Sequence, residues 1–484
     1  MLPSGSILRP DLSDRRTRLS LGLAAMGALA AAFVYAIGTG DVRLTVLVAG
    51  FAIAPALLVL ALKRSYLFPY GIYVVLIPFD NMLKISGAGT LTKMLGILSM
   101  LFVIVYAFRR KGLNAPPMAL YAWLAFLVWT LVSMFWTADV SNGLATVQSL
   151  MSLILMYAVL SVAPVEYRDL RAICICIVLG GIASSFYGMY LLHDMPSIAM
   201  GGSDPGRLVI NVDNRTIDAN HFANAMLTPI ALCLVAVLNS NRLRTIVGAL
   251  FALGVLFAGQ LMSQSREALL ASIVILLVTI AYSKRRVIGL VIAGVVAALV
   301  PILSPNMGQR LADALSTGGA GRTSIWQVGL HAFQQHPFIG WGAGGSIEAY
   351  DRGYLSIYQA YNAGWGRPPH NTPLQAAVEL GIIGLVLILV AYFSTFRQFQ
   401  GIRRGDRLYD LRIAFTASLI ALGICSLFIG LESYKYFWVL LCSIAQLRTL
   451  ARLRRTAAPQ EIVYEPPLPV ARRARSRRPV HAAP

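Results

Sequence analysis

Apolar residues recur along the chain in long runs, broken at intervals by short polar segments rich in arginine. The runs cover about 19–37, 44–62, 66–79, 91–108, 117–136, 142–162, 170–192, 220–238, 245–262, 267–283, 287–302, 373–395, 413–430 and 434–450. Apart from the short third run, each suits a hydrocarbon layer about 30 Å thick. The pattern predicts an all-α, polytopic transmembrane helical bundle of about 14 spans. Residues 1–18 form an N-terminal segment, 19–302 carry spans 1 to 11 with an outer loop at 193–219, 303–372 form a large outer loop, 373–450 carry spans 12 to 14, and 451–484 form an Arg/Pro-rich disordered tail.

Composition agrees: 57% of residues are hydrophobic and 13% charged, with a mean hydropathy of +0.67, too apolar for one soluble core. Charge then fixes the expected topology. With a cytoplasmic N-terminus, alternate breaks gather 30 of the 41 basic residues on one side, including "RRK" at 109–111, "KRR" at 284–286 and nine arginines after residue 447. The positive-inside rule therefore predicts an even span count with both termini cytoplasmic. The net charge of +20 reflects orientation and anionic headgroups, and no nucleic-acid partner is expected. The first run follows four arginines without a small-residue cleavage site and reads as a retained helix. Cys174, Cys176, Cys233, Cys425 and Cys442 all fall inside spans, so neither a disulfide framework nor a metal cluster is indicated.

The two long loops fall on the outer face, where loops of such length tend to be functional. In the larger, "GRTSIWQVGLHAFQQHP" predicts a short amphipathic helix capped by Thr323 or Ser324 and stopped at His336–Pro337. "GWGAGGS" comes next as a turn-rich segment; no strand precedes it, so a nucleotide phosphate loop is not expected.

Three helix starts at this face carry polar chemistry. Asp218 or Asn220 opens the eighth span, with Arg207 and Arg215 upstream. Ser263 or Ser265 opens the tenth, with Arg266 in its first turn. Thr372 or Asn371 caps the twelfth, with His370 just outside and Pro373 at its first helical position. Arg322 begins the loop helix. Helix N-termini offer unpaired N–H groups and partial positive charge, so several of them with arginines could converge on one polyanion. Arg207, Arg215 and Arg367 taken singly read as headgroup-snorkelling arginines, whereas Arg266 and Arg322 stand on a face otherwise poor in basic residues. Glu379 lies roughly 9 Å into its span at 1.5 Å per residue, which makes it a functional candidate. Glu267 reads as a salt-bridge partner of Arg266, and Trp326 and Trp341 as interfacial aromatics.

The ordered set "DANHFANAM", "SQSREALLA", "GRTSIWQVGLHAFQQHPFIGWGAGG" and "HNTPLQAAVELGIIGLV" resembles the bacterial O-antigen ligase and O-unit polymerase superfamily over about residues 207–390. The resemblance implies a GT-C type inner-membrane glycosyltransferase, working at the periplasmic face without nucleotide sugar, metal or cofactor. Its donor would be an undecaprenyl-diphosphate-linked oligosaccharide, and its acceptor a glycan hydroxyl. It implies arginines on the diphosphate, matching Arg266 and Arg322, and a catalytic histidine matching His370. Arg207 or Arg215 with Asp218 and Asn220 match its upstream element, and Trp326, Asn371 and Glu379 complete the substrate-binding set. Membrane lipid is a further partner, and a chain-length regulator or a flippase a candidate neighbour.

The outer loops contain no paired-Asp metal motif, and a near-neutral histidine suits a general base. The longer loop and chain favour a repeat-unit polymerase for capsule, exopolysaccharide or O-antigen, with ligation to lipid A-core as the alternative. A lipid-linked oligosaccharide flippase or an anion transporter is the reading from another class. The polar clusters at one face, with no visible repeat, speak against it.

Overall fold

The computed structural model describes residues 58–85, 89–110, 112–194, 208, 210–212, 215–304, 306–308, 312, 322–358 and 369–457. The apolar run at 19–37, most of that at 44–62, Arg207, Arg367 and the tail beyond residue 457 lie outside them. From residue 66 onward every predicted apolar run contains helix. In chain order these are α1 (Tyr70–Leu76), α2 (Leu91–Arg109), α3 (Met118–Ser133), α4 (Val140–Val162), α5 (Tyr167–Asp194), α6 (Ala219–Ala225), α7 (Leu227–Asn239), α8 (Leu243–Met262), α9 (Arg266–Tyr282) and α10 (Arg286–Leu303). After them come α11 (Arg322–Gln335), α12 (Ser346–Tyr358), α13 (Thr372–Phe396), α14 (Tyr409–Cys425) and α15 (Lys435–Ala457). Extended structure among the described residues is confined to short antiparallel pairs, β1 (Lys84–Ile85) with β2 (Gly89–Thr90) and β3 (Ile210–Val212) with β4 (Arg215–Ile217).

Among the described residues, six helical stretches are long and apolar enough to cross a membrane: Leu91–Arg109, Val140–Val162, Tyr167–His193, Ala219–Asn239, Leu243–Met262 and Thr372–Phe399. The run at 66–79 is not one continuous helix. Pro78 enters near its end, and after seven residues of α1 the chain tightens into a 3₁₀ turn at Ile77–Met82. At the other end, α15 continues to Ala457, past the predicted boundary at 450.

α7 is apolar on nearly every side and accordingly buried, whereas α10 turns Val287, Leu290 and Ile302 outward, 73%, 62% and 71% exposed. α14 packs against both α7 and α9, α13 lies along α3, and α15 along α4. Small residues permit the closest approaches: a Cβ on Gly259 of α8 would stand 2.4 Å from Ser185 Oγ of α5.

The polar breaks sort to opposite ends of the bundle. At one end Arg110 pairs with Glu166 at 3.0 Å, Arg454 with Asp406 at 2.9 Å, and Arg448 donates to the Ala115 carbonyl at 2.9 Å. There too Asn239 bonds Asp410 and receives the Lys284 N–H. These are the arginine-rich segments that the charge pattern groups on one side. The starts of α6, α9, α11 and α13 lie at the other end.

Candidate active site

Local sequence sets each of these helix starts. Asp218 caps α6, its Oδ1 accepting the Asn220 and His221 N–H groups at 2.8 and 3.4 Å. Ser265 caps α9 by accepting from Ala268 N at 3.4 Å, which puts Arg266 at the first helical residue. Asn371 caps α13 through Leu374 N at 2.9 Å, with Thr372 and Pro373 next in the chain. α11 begins at Arg322, so Thr323 and Ser324 fall inside its first turn and are not its cap. Among the described residues, two non-glycines take left-handed backbone: Gln264 (φ 51°), just before the α9 cap, and His370 (φ 47°), just before the α13 cap. Held strain of this kind costs on the order of 1–3 kcal/mol and clusters where a side chain must be aimed.

Around these starts a charged cluster forms. Arg322 Nη1 pairs with Glu267 Oε2 at 2.8 Å, with the two side chains 26% and 3% exposed. Thus Glu267 reaches an arginine on another helix. Asn224 Nδ2 donates to the other Glu267 oxygen at 3.5 Å, and Cys425 Sγ donates to Asn224 Oδ1 at 3.3 Å. The Arg322 guanidinium also lies 5.4 Å over the ring of Phe428, which packs against Trp326 at 6.0 Å. The Trp326 indole N–H is buried without a hydrogen-bond partner among the described residues.

The segment carrying Phe428 is pinned to the histidine turn. Thr372 Oγ1 donates to the Ile429 carbonyl at 2.9 Å and accepts from Leu431 N at 2.8 Å, while Thr372 N donates to the Ser426 carbonyl at 2.8 Å. His370, Asn371, Thr372, Phe428 and Arg322 therefore form one continuous assembly. His370 is exposed, and it lies within electrostatic reach of His221 on α6. Asp218 stands in the same relation to Glu267. In the adjoining turn the Glu432 Oε2 atom is sealed without a partner among the described residues, and burial pushes this carboxyl up to about 7.

Glu379 faces elsewhere. Its oxygens accept from Gly344 N at 2.9 Å and Gln375 Nε2 at 3.0 Å. α13 opens here because Gly381 (φ 67°, ψ −167°) leaves the helical region. Neighbouring segments satisfy the freed backbone: Trp341 N and Gly342 N donate to the Val378 and Glu379 carbonyls at 2.9 and 2.8 Å, and Trp129 Nε1 to that of Leu380 at 2.9 Å. Ile382 N donates to the Pro337 carbonyl at 2.8 Å. A Cβ at Gly381 would fall 2.1 Å from the Phe338 carbonyl oxygen. The "GWGAGG" segment is thus a wedge between this opening and the α3–α4 turn, where Ser133 and Thr137 hold Ala343 at 3.0 and 2.7 Å.

Of the predicted site residues, Arg266, Arg322, Trp326, His370 and Asn371 sit on the converging helix starts. Asp218 and Asn220 occupy the adjoining α6 start, and Arg215 lies on β4 just before it. Glu379 is set apart in the kink, and Arg207 is outside the described residues. Sequence reasoning missed Asn224 and the role of Thr372. Asn224 sits inside the "DANHFANAM" motif but reads there as one more helix residue, and Thr372 reads only as an alternative cap.

Fold and site together define a helical membrane protein in which Arg266, Arg322 and His370 gather at the end of the bundle opposite its arginine-rich segments. Residues 251–389 match the O-antigen ligase family (Wzy_C), which supports the resemblance to the O-antigen ligase and polymerase superfamily. Comparison with curated proteins gives no match.

Proposed function

We propose that the protein is an inner-membrane glycosyltransferase. It transfers a glycan from undecaprenyl diphosphate to a sugar hydroxyl at the periplasmic face, with about 14 spans and both termini cytoplasmic. The observation that carries this reading is the joining of Arg322, through Phe428 and Thr372, to the His370 turn. A cation suited to a leaving diphosphate and an imidazole suited to a nucleophilic hydroxyl meet in one assembly.

In the reaction the acceptor oxygen bonds to the anomeric carbon as that carbon's bond to the phosphate oxygen breaks, with inversion. His370 takes the hydroxyl proton, and the diphosphate leaves carrying the electron pair. Arg322 and Arg266 stabilise the charge that grows on it. Both Glu379 oxygens already receive N–H donors, which favours His370 as the base and gives Glu379 a positioning role. Repeat-unit polymerisation is the preferred form, and ligation to lipid A-core the alternative.

The test uses purified protein in nanodiscs with a lipid-linked repeat unit, EDTA and no nucleotide sugar. A ladder of longer glycans that disappears in His370→Ala supports a metal-independent polymerase. Transfer only after addition of lipid A-core identifies a ligase. Absence of both, with the lipid-linked unit crossing the bilayer, would replace this reading with transport.

A further inference from the structure

Beside the charged cluster lies a second feature that the transfer chemistry does not use. It is a cavity of about 360 Å³ whose lining includes Asp80, Asp218, His221, Tyr434, Lys435 and Tyr436, large enough for a small ligand. Three aromatic rings form a group on its wall. His221 stacks on Tyr434 with centroids 3.5 Å apart and planes 18° apart, and Tyr434 and Tyr436 lie 5.7 Å apart. His221 Nδ1 and the Tyr436 hydroxyl are 3.2 Å apart.

The polar part of the lining is braced. Lys435 Nζ reaches Asp80 Oδ1 at 2.6 Å, Thr92 Oγ1 at 2.7 Å and Thr90 Oγ1 at 3.3 Å, and Thr92 also donates to Asp80. The three ammonium donors are thereby used, so Lys435 offers no ready site for an anion. The two carboxylates on the wall oppose one further. Aromatic faces beside carboxylate and hydroxyl acceptors suit a ligand with one apolar face and a rim of hydroxyl donors, which is the character of a pyranose ring. A phosphate would meet the two carboxylates, and a lipid chain would leave the polar lining unmatched.

We propose that this cavity is a subsite for one uncharged sugar of the acceptor glycan, its C–H face against the His221–Tyr434–Tyr436 group and its hydroxyls toward Asp218 and Asp80. The subsite rests on the glycosyl-transfer reading for its role, and His221 on its wall lies within electrostatic reach of His370. Its consequence is selectivity for neutral sugars over uronic acids.

The experiment is saturation-transfer NMR on the full chain in nanodiscs, with methyl glycosides of neutral hexoses and methyl glucuronide as probes. The neutral glycosides should give signals that exceed those of the glucuronide. The signals should fall roughly tenfold in Tyr434→Ala and persist in Tyr434→Phe, which keeps the ring. In turnover assays Tyr434→Ala should raise KM for the acceptor about tenfold while kcat stays within about threefold. No signal from the wild type, equal signals in both variants, or preference for the glucuronide would overturn the subsite. Saturation transfer without any turnover by the wild type would sink the enzymatic reading and leave the subsite standing.

Discussion

The Arg322–Glu267 pair allows catalysis and stability to be separated. Arg322→Ala strands a carboxylate that is 3% exposed. Removing one partner of a buried pair costs about 3–5 kcal/mol. The lower end applies here, because Arg322 is itself 26% exposed and Asn224 still donates to Glu267. Loss of a fixed cation at the leaving diphosphate should also cut turnover on the order of a hundredfold, about 2.7 kcal/mol in the barrier. Changing Glu267 to Gln as well removes the stranded charge, so the double variant should regain most of its thermal stability in nanodiscs while turnover stays low. Both quantities can be followed on one preparation, by intrinsic fluorescence melting and by single-turnover transfer from a lipid-linked donor. Recovery of turnover along with stability would refute the catalytic assignment and leave Arg322 a structural residue.

Gly381→Ala should give markedly less folded protein and a lower melting temperature, since φ 67° is strained for any side chain and the new Cβ would meet the Phe338 carbonyl. An unchanged melting curve would argue against the opened helix. Glu432 predicts a pH dependence of stability. Its folded carboxyl is raised from 4.5 to about 7, so the folded state holds the proton more tightly. Stability should therefore fall on the order of 2–3 kcal/mol as pH rises from about 4.5 to about 7, and the slope should flatten in Glu432→Gln when chemical unfolding is followed across that range. Arg403→Ala, at the opposite end of the bundle, should leave turnover within about twofold of wild type. A loss equal to that of Arg322→Ala would count against the site.

Much of this arrangement is legible in the chain because helix starts are local affairs. Asp218, Ser265 and Asn371 announce themselves by residue type and by the apolar runs that come after them, and the described arginine-rich breaks meet at one end. The kink at Gly381 is not visible in that way. "LGIIGLVLILV" is apolar throughout, and only the wedge of residues 337–344, supplied by a distant segment, makes an opening there tolerable. α12 is hidden for a similar reason: its polar sequence has no apolar run, and its place is set by packing against α11. Partners far apart in sequence, such as Arg322 with Glu267 or Lys435 with Asp80, carry no spacing signal at all. The left-handed turn at His370 is equally silent, because histidine gives no hint of it.

The wedge also limits how the enzyme can breathe. Withdrawing residues 337–344 would free the Val378 and Glu379 carbonyls and the Ile382 N–H together, and take from the Glu379 carboxylate its Gly344 donor. Each such group left unsatisfied at membrane depth costs several kcal/mol. That segment is thus a permanent wall and not a lid.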